Sequence, residues 1–583
     1  MATQNTQPKF KEISFSGFDG IDFNKNHSGE PSTLEMTNWR ILDNGSLQKR
    51  FGFGNIASMG GNADAIWAGM VDGENVICYF ANKKIRRFSL ESKTTVDLGT
   101  CPASEQGNPK FFFYRGDLYF SVDGGIFIIK KNSMKEVIGY VPLMGENWRD
   151  DYIGPIKEPF NILNRKARFT YTVSALESIF YKVIYPILTI DSVKVNGEEL
   201  PSGRYLIDDE FNAVDITNLS AGDKVEVAVT FKLPLSEKIN DFIAADASAV
   251  FGGITTERLF MWKRDAVSNM FCSAYVDKTN MDSCKSVYPD SSPLYFPENY
   301  DFTVGENRYR IRGVVRHFDR LLIFTEGDVW MADSSACGIQ DFPVMNINSS
   351  AGCCSSGGLA MAGNDPISVG NGKIYRWTSD TDELNECNAY AISAPVEKIL
   401  GDDFFKIAKI VVNKSQNEIW FTTPILAWVY NLSNNTWYRY LIPTHEHIFE
   451  FNNSVALTNN GSIYLYDKNY YTDHVSVSGN GSITATFESG NLDFGNLGNK
   501  RLSSLSVIGD RFGSTKIMVT EEQAPVLLSL SVEQMQPNEH TAFRKRVNTK
   551  RFKNARLVIE NSEHDRPIIH SVSLSVKQER LKK

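Results

Sequence analysis

A short motif that recurs along the chain constrains the fold more than any other feature. It consists of Gly or Asn, a polar residue, an aliphatic residue and then Tyr or Trp, as in GDLYF at residue 116. The copies GDVWM, GKIYRW, NEIWF and GSIYLY begin at residues 327, 372, 417 and 461, so these four lie 45, 45 and 44 residues apart. Each copy joins a turn residue that tolerates positive φ to the alternating pattern of a strand. A period near 45 with strand chemistry is typical of a four-stranded propeller blade.

The repeat predicts both the blade positions and their number. Two degenerate copies, NKKIRRF at 82 and ERLFMW at 257, bring the candidates to seven. Because one copy could mark a second strand pair within a shared blade, we expect six blades, with seven as the alternative. The turn and aromatic positions expected to mark the blades are Gly116, Tyr119, Gly327, Trp330, Gly372, Tyr375, Asn417, Trp420, Gly461 and Tyr464.

Segments outside the repeat predict two further β-structures in an all-β chain. The interval from residue 116 to residue 257 is far longer than one period, and it contains the alternating runs VKVNGEEL and DKVEVAVTF. These runs predict an inserted β-sandwich, and the strand-rich tail predicts a second, C-terminal one. The expected divisions are an N-terminal arm and assembly segment (1–60), first blades (61–154), inserted sandwich (155–235), remaining blades (236–474) and C-terminal sandwich (475–583).

Composition narrows the class of protein. The chain has 583 residues, which is too long for one hydrophobic core, and its 42% hydrophobic and 22% charged residues are those of an ordinary folded protein. Its net charge of −8 argues against a surface that grips nucleic acid throughout. The N-terminal stretch has no apolar segment of signal-peptide length, which predicts synthesis and assembly in a cytoplasm. The eight cysteines are dispersed without a CxxC pair, which predicts neither a zinc cage nor a disulfide framework.

Motifs that carry chemistry are missing from the sequence. It has no Walker A, GxGxxG after a strand, HExxH, GxSxG or EF-hand pattern, so we expect no enzyme and no cofactor. His445 and His447 share one strand face and could form half of a metal site with His474 or His317. Because no third ligand is defined, we expect solvated histidines rather than a metal site.

The most basic stretch of the chain is FRKRVNTKRFKNARLVIE near the C-terminus. We expect it to form an interface, because no aromatic residues interleave in the way that a platform for single-stranded nucleic acid requires. Contact with phosphate is the alternative. The candidate interface residues are Arg544, Lys545, Arg546, Lys550, Arg551, Lys553 and Arg556.

The stretch FDGIDFNKNHSGEPSTLEMTNWRILDNGSLQKRFGFGNI, called the N-terminal phrase below, is the most specific text in the chain. It resembles the opening of phage tail proteins of the nozzle or packaged-DNA-stabilising kind. The mid-chain phrase with Ser273 and Asp277, then Tyr295 to Asn299, and the ending ITATFESGNLDFGNLGNKRLSSLSV are similar to the same family. The matching positions of the N-terminal phrase are Gly20, Asp22, Asn38, Gly45, Leu47, Arg50 and Gly52.

The resemblance implies a structural virion protein of the phage tail. It implies a homohexameric ring of β-propeller subunits that continues the DNA exit channel below the portal and adaptor and helps to retain and then release the genome. Implied partners are other copies of the chain, the portal or adaptor, tail fibres or other tail proteins and, transiently, double-stranded DNA. The alternative is a propeller that binds or cleaves carbohydrate at the tail tip, with Trp330, Trp377, Trp420 and Trp437 stacking on sugars. Three of these lie in or beside the repeat, which favours core packing.

Overall fold

The computed structural model is mainly antiparallel β-structure, which confirms the all-β prediction. It describes residues 10–25, 32–101, 108–149, 153–174, 180–252, 256–267, 269–305, 308–332, 344–379, 387–474, 481–495, 498–521, 526–531 and 540–578.

Five N-terminal strands join three different sheets. β1, β3 and β4 belong to a six-stranded sheet with C-terminal strands, β2 belongs to a nine-stranded sheet, and β5 belongs to the last propeller blade. Their bounds are β1 (Phe10–Phe15), β2 (Thr33–Thr37), β3 (Trp39–Ile41), β4 (Leu47–Lys49) and β5 (Gly52–Ser58).

Blades one and two follow as antiparallel four-stranded sheets joined by tight turns. Blade one has β6 (Ala65–Val71), β7 (Glu74–Ala81), β8 (Lys84–Ser89) and β9 (Thr94–Thr100). Blade two has β10 (Lys110–Tyr114), β11 (Asp117–Val122), β12 (Gly125–Ile129) and β13 (Met134–Glu136).

The insertion after blade two is a small sandwich of two sheets, β14-β15-β21-β17-β18 and β16-β20-β19, around its own apolar core. It begins before the expected boundary at 155, because β14 pairs in parallel with β15. Two register shifts in this pair disturb the alternation that would have marked β14 in the sequence. The strands are β14 (Leu143–Arg149), β15 (Lys166–Thr172), β16 (Phe180–Lys182), β17 (Ile187–Val195), β18 (Glu198–Glu199), β19 (Tyr205–Asp208), β20 (Ala213–Ile216) and β21 (Lys224–Phe231), with a 3₁₀ turn at Ser202–Arg204.

Five more blades follow the insertion. Blades three and four contain β22 (Ala247–Phe251), β23 (Arg258–Trp262), β24 (Asn269–Cys272), β25 (Asp301–Thr303), β26 (Ile311–His317), β27 (Arg320–Thr325), β28 (Val329–Ala332) and β29 (Val344–Asn348). Blades five and six contain β30 (Leu359–Ala362), β31 (Asp365–Val369), β32 (Ile374–Ser379), β33 (Cys387–Ala391), β34 (Lys409–Asn413), β35 (Glu418–Thr422), β36 (Leu426–Asn431) and β37 (Thr436–Leu441). Blade seven contains β38 (His447–Phe451), β39 (Ser454–Asn459), β40 (Ser462–Asp467) and β5.

In the described part of the chain, three short α-helices and a second 3₁₀ turn lie between these strands. They are α1 (Ile239–Ala244) before blade three, α2 (Lys278–Lys285) in the loop between β24 and β25, α3 (Glu397–Ile407) between blades five and six, and the 3₁₀ turn Lys414–Gln416.

The propeller has seven blades rather than the favoured six. The first strands of successive blades contact one another, and β38 contacts β6, so the ring is closed. All seven sequence candidates lie in different blades, but the motif precedes the second strand in blades two, three and six and the third strand in the other four. The near-constant spacing therefore reflects a generic turn-plus-strand pattern, which a sequence cannot assign to one position in the blade.

The C-terminal strands form a sandwich together with N-terminal strands. One sheet has the order β3-β4-β47-β42-β45 with β1 also paired to β47, and the other runs from β2 through β41, β46 and β43 to β44. The second sheet continues blade six, because β2 pairs in parallel with β37. The strands are β41 (Ala485–Ser489), β42 (Lys500–Asp510), β43 (Lys516–Thr520), β44 (Val526–Ser531), β45 (His540–Arg546), β46 (Arg556–Asn561) and β47 (Ile568–Gln578).

The described part of residues 1–60, expected to be an N-terminal arm and assembly segment, is paired with other parts of the chain. β1 to β4 complete the C-terminal sandwich, and β5 pairs with β40 as the outer strand of blade seven. Their partners lie hundreds of residues away, so local periodicity cannot reveal the pairing.

The two sandwiches are attached to the propeller at distant points of the blade order. The inserted sandwich lies in the chain between blades two and three, whereas the C-terminal sandwich continues the sheet of blade six. In a ring of seven blades, these positions are half a turn apart.

Candidate functional site

Arg50 is buried where the propeller meets the C-terminal sandwich. Its Nε donates to Asn38 Oδ1 at 2.9 Å, one terminal nitrogen donates to the Phe51 carbonyl at 2.8 Å, and the other donates to the Leu441 carbonyl at 2.7 Å. The same terminal nitrogens form a two-point pair with Asp473 at 3.0 and 2.6 Å. A single side chain thus links the end of β4, blade six and the segment after blade seven.

The negative charge of Asp473 stabilises the protonated form of Arg50. Burial lowers the pKa of Arg50, but the charge and hydrogen bonds of Asp473 outweigh that effect and raise the pKa above its ordinary value. Asp473 Oδ1 also accepts from the backbone N–H of Phe53 at 3.1 Å, which attaches the start of β5 to the same carboxylate. We call Arg50, Asp473 and Asn38 the junction node.

Asn38 is the second member of the junction node from the N-terminal phrase. Its backbone has a φ of 59°, a left-handed conformation in which Asn is enriched. Its side-chain oxygen accepts from both Arg50 and the backbone N–H of Leu441, and its side-chain nitrogen donates to the Thr484 carbonyl at 2.6 Å. The amide is therefore bonded to the propeller on one side and the sandwich segment on the other.

Two glycines of the phrase permit close backbone contact. A Cβ on Gly20 would lie 2.6 Å from the backbone nitrogen and oxygen of Trp437. A Cβ on Gly52 would lie 2.1 Å from the carbonyl oxygen of Thr472. Neither distance is compatible with a side chain, so both glycines are explained by packing.

The remaining residues of the phrase shape the chain around the junction. Asp22 accepts from the backbone N–H of Asn24 at 2.9 Å in a local turn. Gly45, with a φ of 78°, lies in the hairpin between β3 and β4. Leu47 is fully buried in the sandwich core and pairs with Ile569. All seven positions of the phrase thus have a structural role at or beside the junction.

A second buried polar cluster, which the sequence did not reveal, surrounds the carboxylate of Glu418. It accepts from Trp420 Nε1 at 2.9 Å, from the Tyr438 hydroxyl at 2.9 Å and from the Tyr440 hydroxyl at 3.2 Å. Arg40 of β3 forms an ion pair with it at 3.3 Å. Glu418 occupies the polar position of a repeat copy, and the alternating pattern predicts that such a residue faces solvent. The sequence therefore did not mark Glu418 as a buried residue. The pair joins blade six to the sandwich.

An open cleft of about 410 Å³ lies beside the junction node. Arg50 and Asp473 on its wall are already bonded to each other and to backbone groups. The cleft is lined by Asn38, Arg50, Leu441, Ile442, Pro443, Thr444, Asp473, Gly481, Ser482, Ile483 and Thr484.

The repeat residues mark turns and blade cores. Four turn residues have positive φ: Gly116, Gly372, Asn417 and Gly461. Gly327 instead allows close packing, because a Cβ there would lie 2.6 Å from the ring of Tyr309. Among the aromatic positions, Tyr119, Trp420 and Tyr464 are buried, whereas Trp330 and Tyr375 are half-buried.

The tryptophans considered for sugar stacking are mainly core residues. Trp377, Trp420 and Trp437 are 0%, 0% and 1% exposed. Trp330 is half-buried, and its indole N–H donates to Asp328 at 2.8 Å. The structure therefore does not bring the four indoles to one accessible surface.

The basic stretch divides into an exposed part and an ion-paired part. Arg556 lies in β46, where it donates to Glu488 at 2.8 Å and to Asn491 at 2.7 Å. The other six side chains are exposed, on β45 or in the loop that follows it: Arg544, Lys545, Arg546, Lys550, Arg551 and Lys553.

The inserted sandwich is attached to the propeller by a network that sequence analysis also missed. Asp191 Oδ2 accepts from Lys166 and Thr230 within the insertion, both at 2.8 Å, and from the Tyr288 hydroxyl beyond α2 at 2.7 Å. Burial raises the pKa of Asp191, but the hydrogen bonds from Lys166, Tyr288 and Thr230 outweigh that effect and lower it. Arg168 adds a hydrogen bond to Ser283 in α2 at 2.8 Å. The insertion is thus fixed to the loop of blade three.

His445 and His447 each contact a different backbone carbonyl. A ring nitrogen of His445 lies 3.0 Å from the Pro443 carbonyl, and one of His447 lies 2.9 Å from the Ala63 carbonyl. Among the residues that the structure describes, no three His, Cys, Asp or Glu side chains are grouped to hold a metal ion. Within the same residues, no helix has the length and apolar character needed to cross a membrane.

Comparisons with known proteins give structural neighbours only. No protein-family model and no curated protein matches the chain. A chain of the Mitotic Checkpoint Complex matches with 8% identity and a TM-score of 0.34, over 72% of this chain and 93% of that chain. The Myceliophteria thermophila Cps50 (Swd1) β-propeller domain matches with 8% identity and a TM-score of 0.34, over 71% and 98%. The Neurospora crassa Pan2 WD40 domain matches with 8% identity and a TM-score of 0.30, over 72% and 94%. At such identities the likeness concerns the propeller fold alone.

Proposed function

We propose that this protein is a structural component of a phage tail. Copies of the chain form a ring that continues the DNA exit channel below the portal or adaptor, retains the packaged genome and then releases it. The observation that carries the proposal is the position of the N-terminal phrase. The residues that resemble the opening of nozzle proteins are built into the attachment of the propeller to the C-terminal sandwich.

A channel wall requires rigid subunits, and two sets of contacts, one mostly buried and one partly buried, support this requirement. The junction node and the Arg40–Glu418 pair attach the C-terminal sandwich to the propeller. The Asp191 network attaches the inserted sandwich. A polar side chain whose groups are all bonded, as those of Arg50 are, restrains the relative orientation of the parts that it joins.

The partners in this proposal are other copies of the chain, a portal or adaptor ring, tail fibres or other tail proteins, and DNA in transient contact. The net charge of −8 suits a wall past which DNA slides, because a strongly basic lumen would hold phosphate. The exposed part of the basic stretch, on β45 and in the loop that follows it, lies on the C-terminal sandwich. No catalytic role is part of the proposal.

Negative-stain electron microscopy tests the ring directly. The purified chain is imaged alone and mixed with candidate adaptor rings, and we expect closed six-fold rings with a central hole in at least one sample. Single propeller-shaped particles in both samples would contradict the proposal. A glycan-binding screen would then test the carbohydrate alternative.

A further inference from the structure

The tip of the inserted sandwich exposes apolar side chains beside acidic ones. Leu206 of β19 is 71% exposed, and Phe211 in the following turn is 50% exposed. Between them lie Asp208, Asp209 and Glu210, of which the last two are exposed. Large exposed apolar side chains with a charged rim are typical of protein–protein contact sites. We call these five residues the insert tip.

A buried oxygen on the same face lacks a donor. Asp215 of β20 pairs with Leu206 on one side and with Phe180 on the other, so the three side chains lie in one row across the sheet. Its Oδ1 is shielded from solvent and has no hydrogen-bond partner among the described residues. Because this oxygen is shielded, a side chain of another chain would reach it only after the Asp215 side chain turned toward solvent.

The opposite sandwich presents the complementary charge on an edge strand. Among the strands that the structure describes, β45 is the last of its sheet and pairs only with β42, so within that part of the chain its other edge is open to strand pairing. Arg544, Lys545 and Arg546 on this strand are exposed and form no ion pair with any residue in the described part of the chain. We call these three residues the basic edge. Residues 475–583 contain 16 Lys and Arg against 11 Asp and Glu, in contrast to the acidic chain as a whole.

Repulsion between like charges disfavours a symmetrical arrangement, in which each surface would bind its own counterpart on a second copy. Two basic edges placed side by side would bring six cations together. Two insert tips would bring the carboxylates of Asp208 and Glu210 from both copies together, while Asp209 in each copy pairs with Lys232 at 2.7 Å. Pairing of like with like is therefore disfavoured. β19 is itself the edge strand of its three-stranded sheet, which leaves both surfaces open to strand pairing. The insert tip and basic edge therefore fit each other better than either fits a copy of itself.

We propose that the insert tip of one chain binds the basic edge of a second copy, so that chains associate head to tail. The inference rests on the proposed ring, for which it names the contact between subunits. Because the two surfaces belong to sandwiches half a propeller turn apart, each subunit presents one surface to each neighbour. Contacts of this heterologous type generate closed rings when the rotation between subunits closes.

Charge reversal with cross-rescue tests the contact in the full-length chain. One variant carries Arg544→Glu, Lys545→Glu and Arg546→Glu, and a second carries Leu206→Arg, Asp209→Arg and Glu210→Arg. Asp208 is left unchanged because it accepts from the backbone N–H groups of the turn. The matched control carries Lys83→Glu, Lys93→Glu and Lys373→Glu, three exposed turn lysines of blades one and five. Far-UV circular dichroism and thermal melting check that each variant folds.

Sedimentation velocity and negative-stain microscopy measure assembly of all variants at the same protein concentration. If the wild-type chain forms rings only with an adaptor, the adaptor is added to every sample. We expect wild-type and control chains to form rings and each reversed variant alone to lose them. An equimolar mixture of the two reversed variants restores complementary charges at every contact, so rings should return. Rings that persist in either folded variant alone, or that fail to return in the mixture, would overturn the contact and leave the ring proposal intact. Wild-type chains that never assemble would refute the ring and the contact together.

Discussion

Removal of the Asp473 charge is the sharpest test of the junction node. Asp473→Asn keeps the side-chain volume but leaves the Arg50 guanidinium, which is 1% exposed, without its counter-charge. Breaking a buried pair by removing one partner costs about 3–5 kcal/mol, because the remaining charge stays buried. Asp473 is itself 19% exposed, and the Asn oxygen can still accept from one Arg50 nitrogen and from the backbone N–H of Phe53. We therefore expect a loss at the lower end, about 3 kcal/mol.

A chain of several parts does not unfold in one step, so the assay must be local. Hydrogen–deuterium exchange reports the free energy of opening for each segment. A loss of about 3 kcal/mol corresponds to exchange that is faster by roughly 100-fold. We expect this acceleration in β5 and in the start of β41, and little change in blades three and four.

An exposed ion pair provides the control for this experiment. Lys130 and Asp117 lie 2.6 Å apart with side chains 52% and 36% exposed. Exposed pairs contribute about 0.2–1 kcal/mol, so Asp117→Asn should accelerate exchange only slightly. If Asp473→Asn changed exchange in β5 no more than Asp117→Asn changes it in blade two, the junction would not depend on this pair.

Two further predictions concern packing and pH. In hydrogen–deuterium exchange, Gly52→Ala should lower the free energy of opening of β5 by about 2 kcal/mol or more, because the new Cβ meets the Thr472 carbonyl. Gly116→Ala, with positive φ but open space, should lower the free energy of opening of blade two by about 1 kcal/mol. Equal effects of the two substitutions would contradict the packing argument. Burial lowers the pKa of Lys110 to about 7 from its ordinary 10.5, so the unfolded chain binds the extra proton and stability should rise as pH increases from about 7 toward 10.5. The melting temperature, measured across this pH range, should therefore rise less steeply with pH for Lys110→Met than for the wild-type chain. The same dependence on pH in both chains would argue against a lowered pKa of Lys110.

The sequence revealed blades well because their signal is local. A turn residue of positive φ followed by an alternating strand lies within a few residues, as at Gly116 and Asn417. The same local pattern could not show that Gly116 precedes a second strand and Gly372 a third. The blade count therefore needed the pairing of strands, and in particular that of β5 with β40.

The junction was hidden because it depends on pairings between distant parts of the chain. Phe10 pairs with Lys577, and Arg50 meets an aspartate more than 400 residues later. Asn38 and Arg50 were selected by resemblance alone, and the structure supplies the physical reason for their presence in the phrase. Asp473 and Glu418 had no comparable signal, since a single acidic residue in a loop or strand is ordinary surface chemistry.

The rigidity of the junction and the proposed head-to-tail contact depend on each other. In a ring held by contacts on opposite sides of each subunit, the angle between neighbours is set by the orientation of the two sandwiches on the propeller. A mobile sandwich would permit a range of angles and hence rings of different sizes or open filaments. The Arg50–Asp473 pair on one side and the Asp191 network on the other restrict that orientation. We therefore expect substitutions at the junction, although remote from the proposed contact, to broaden the distribution of ring sizes before they abolish assembly.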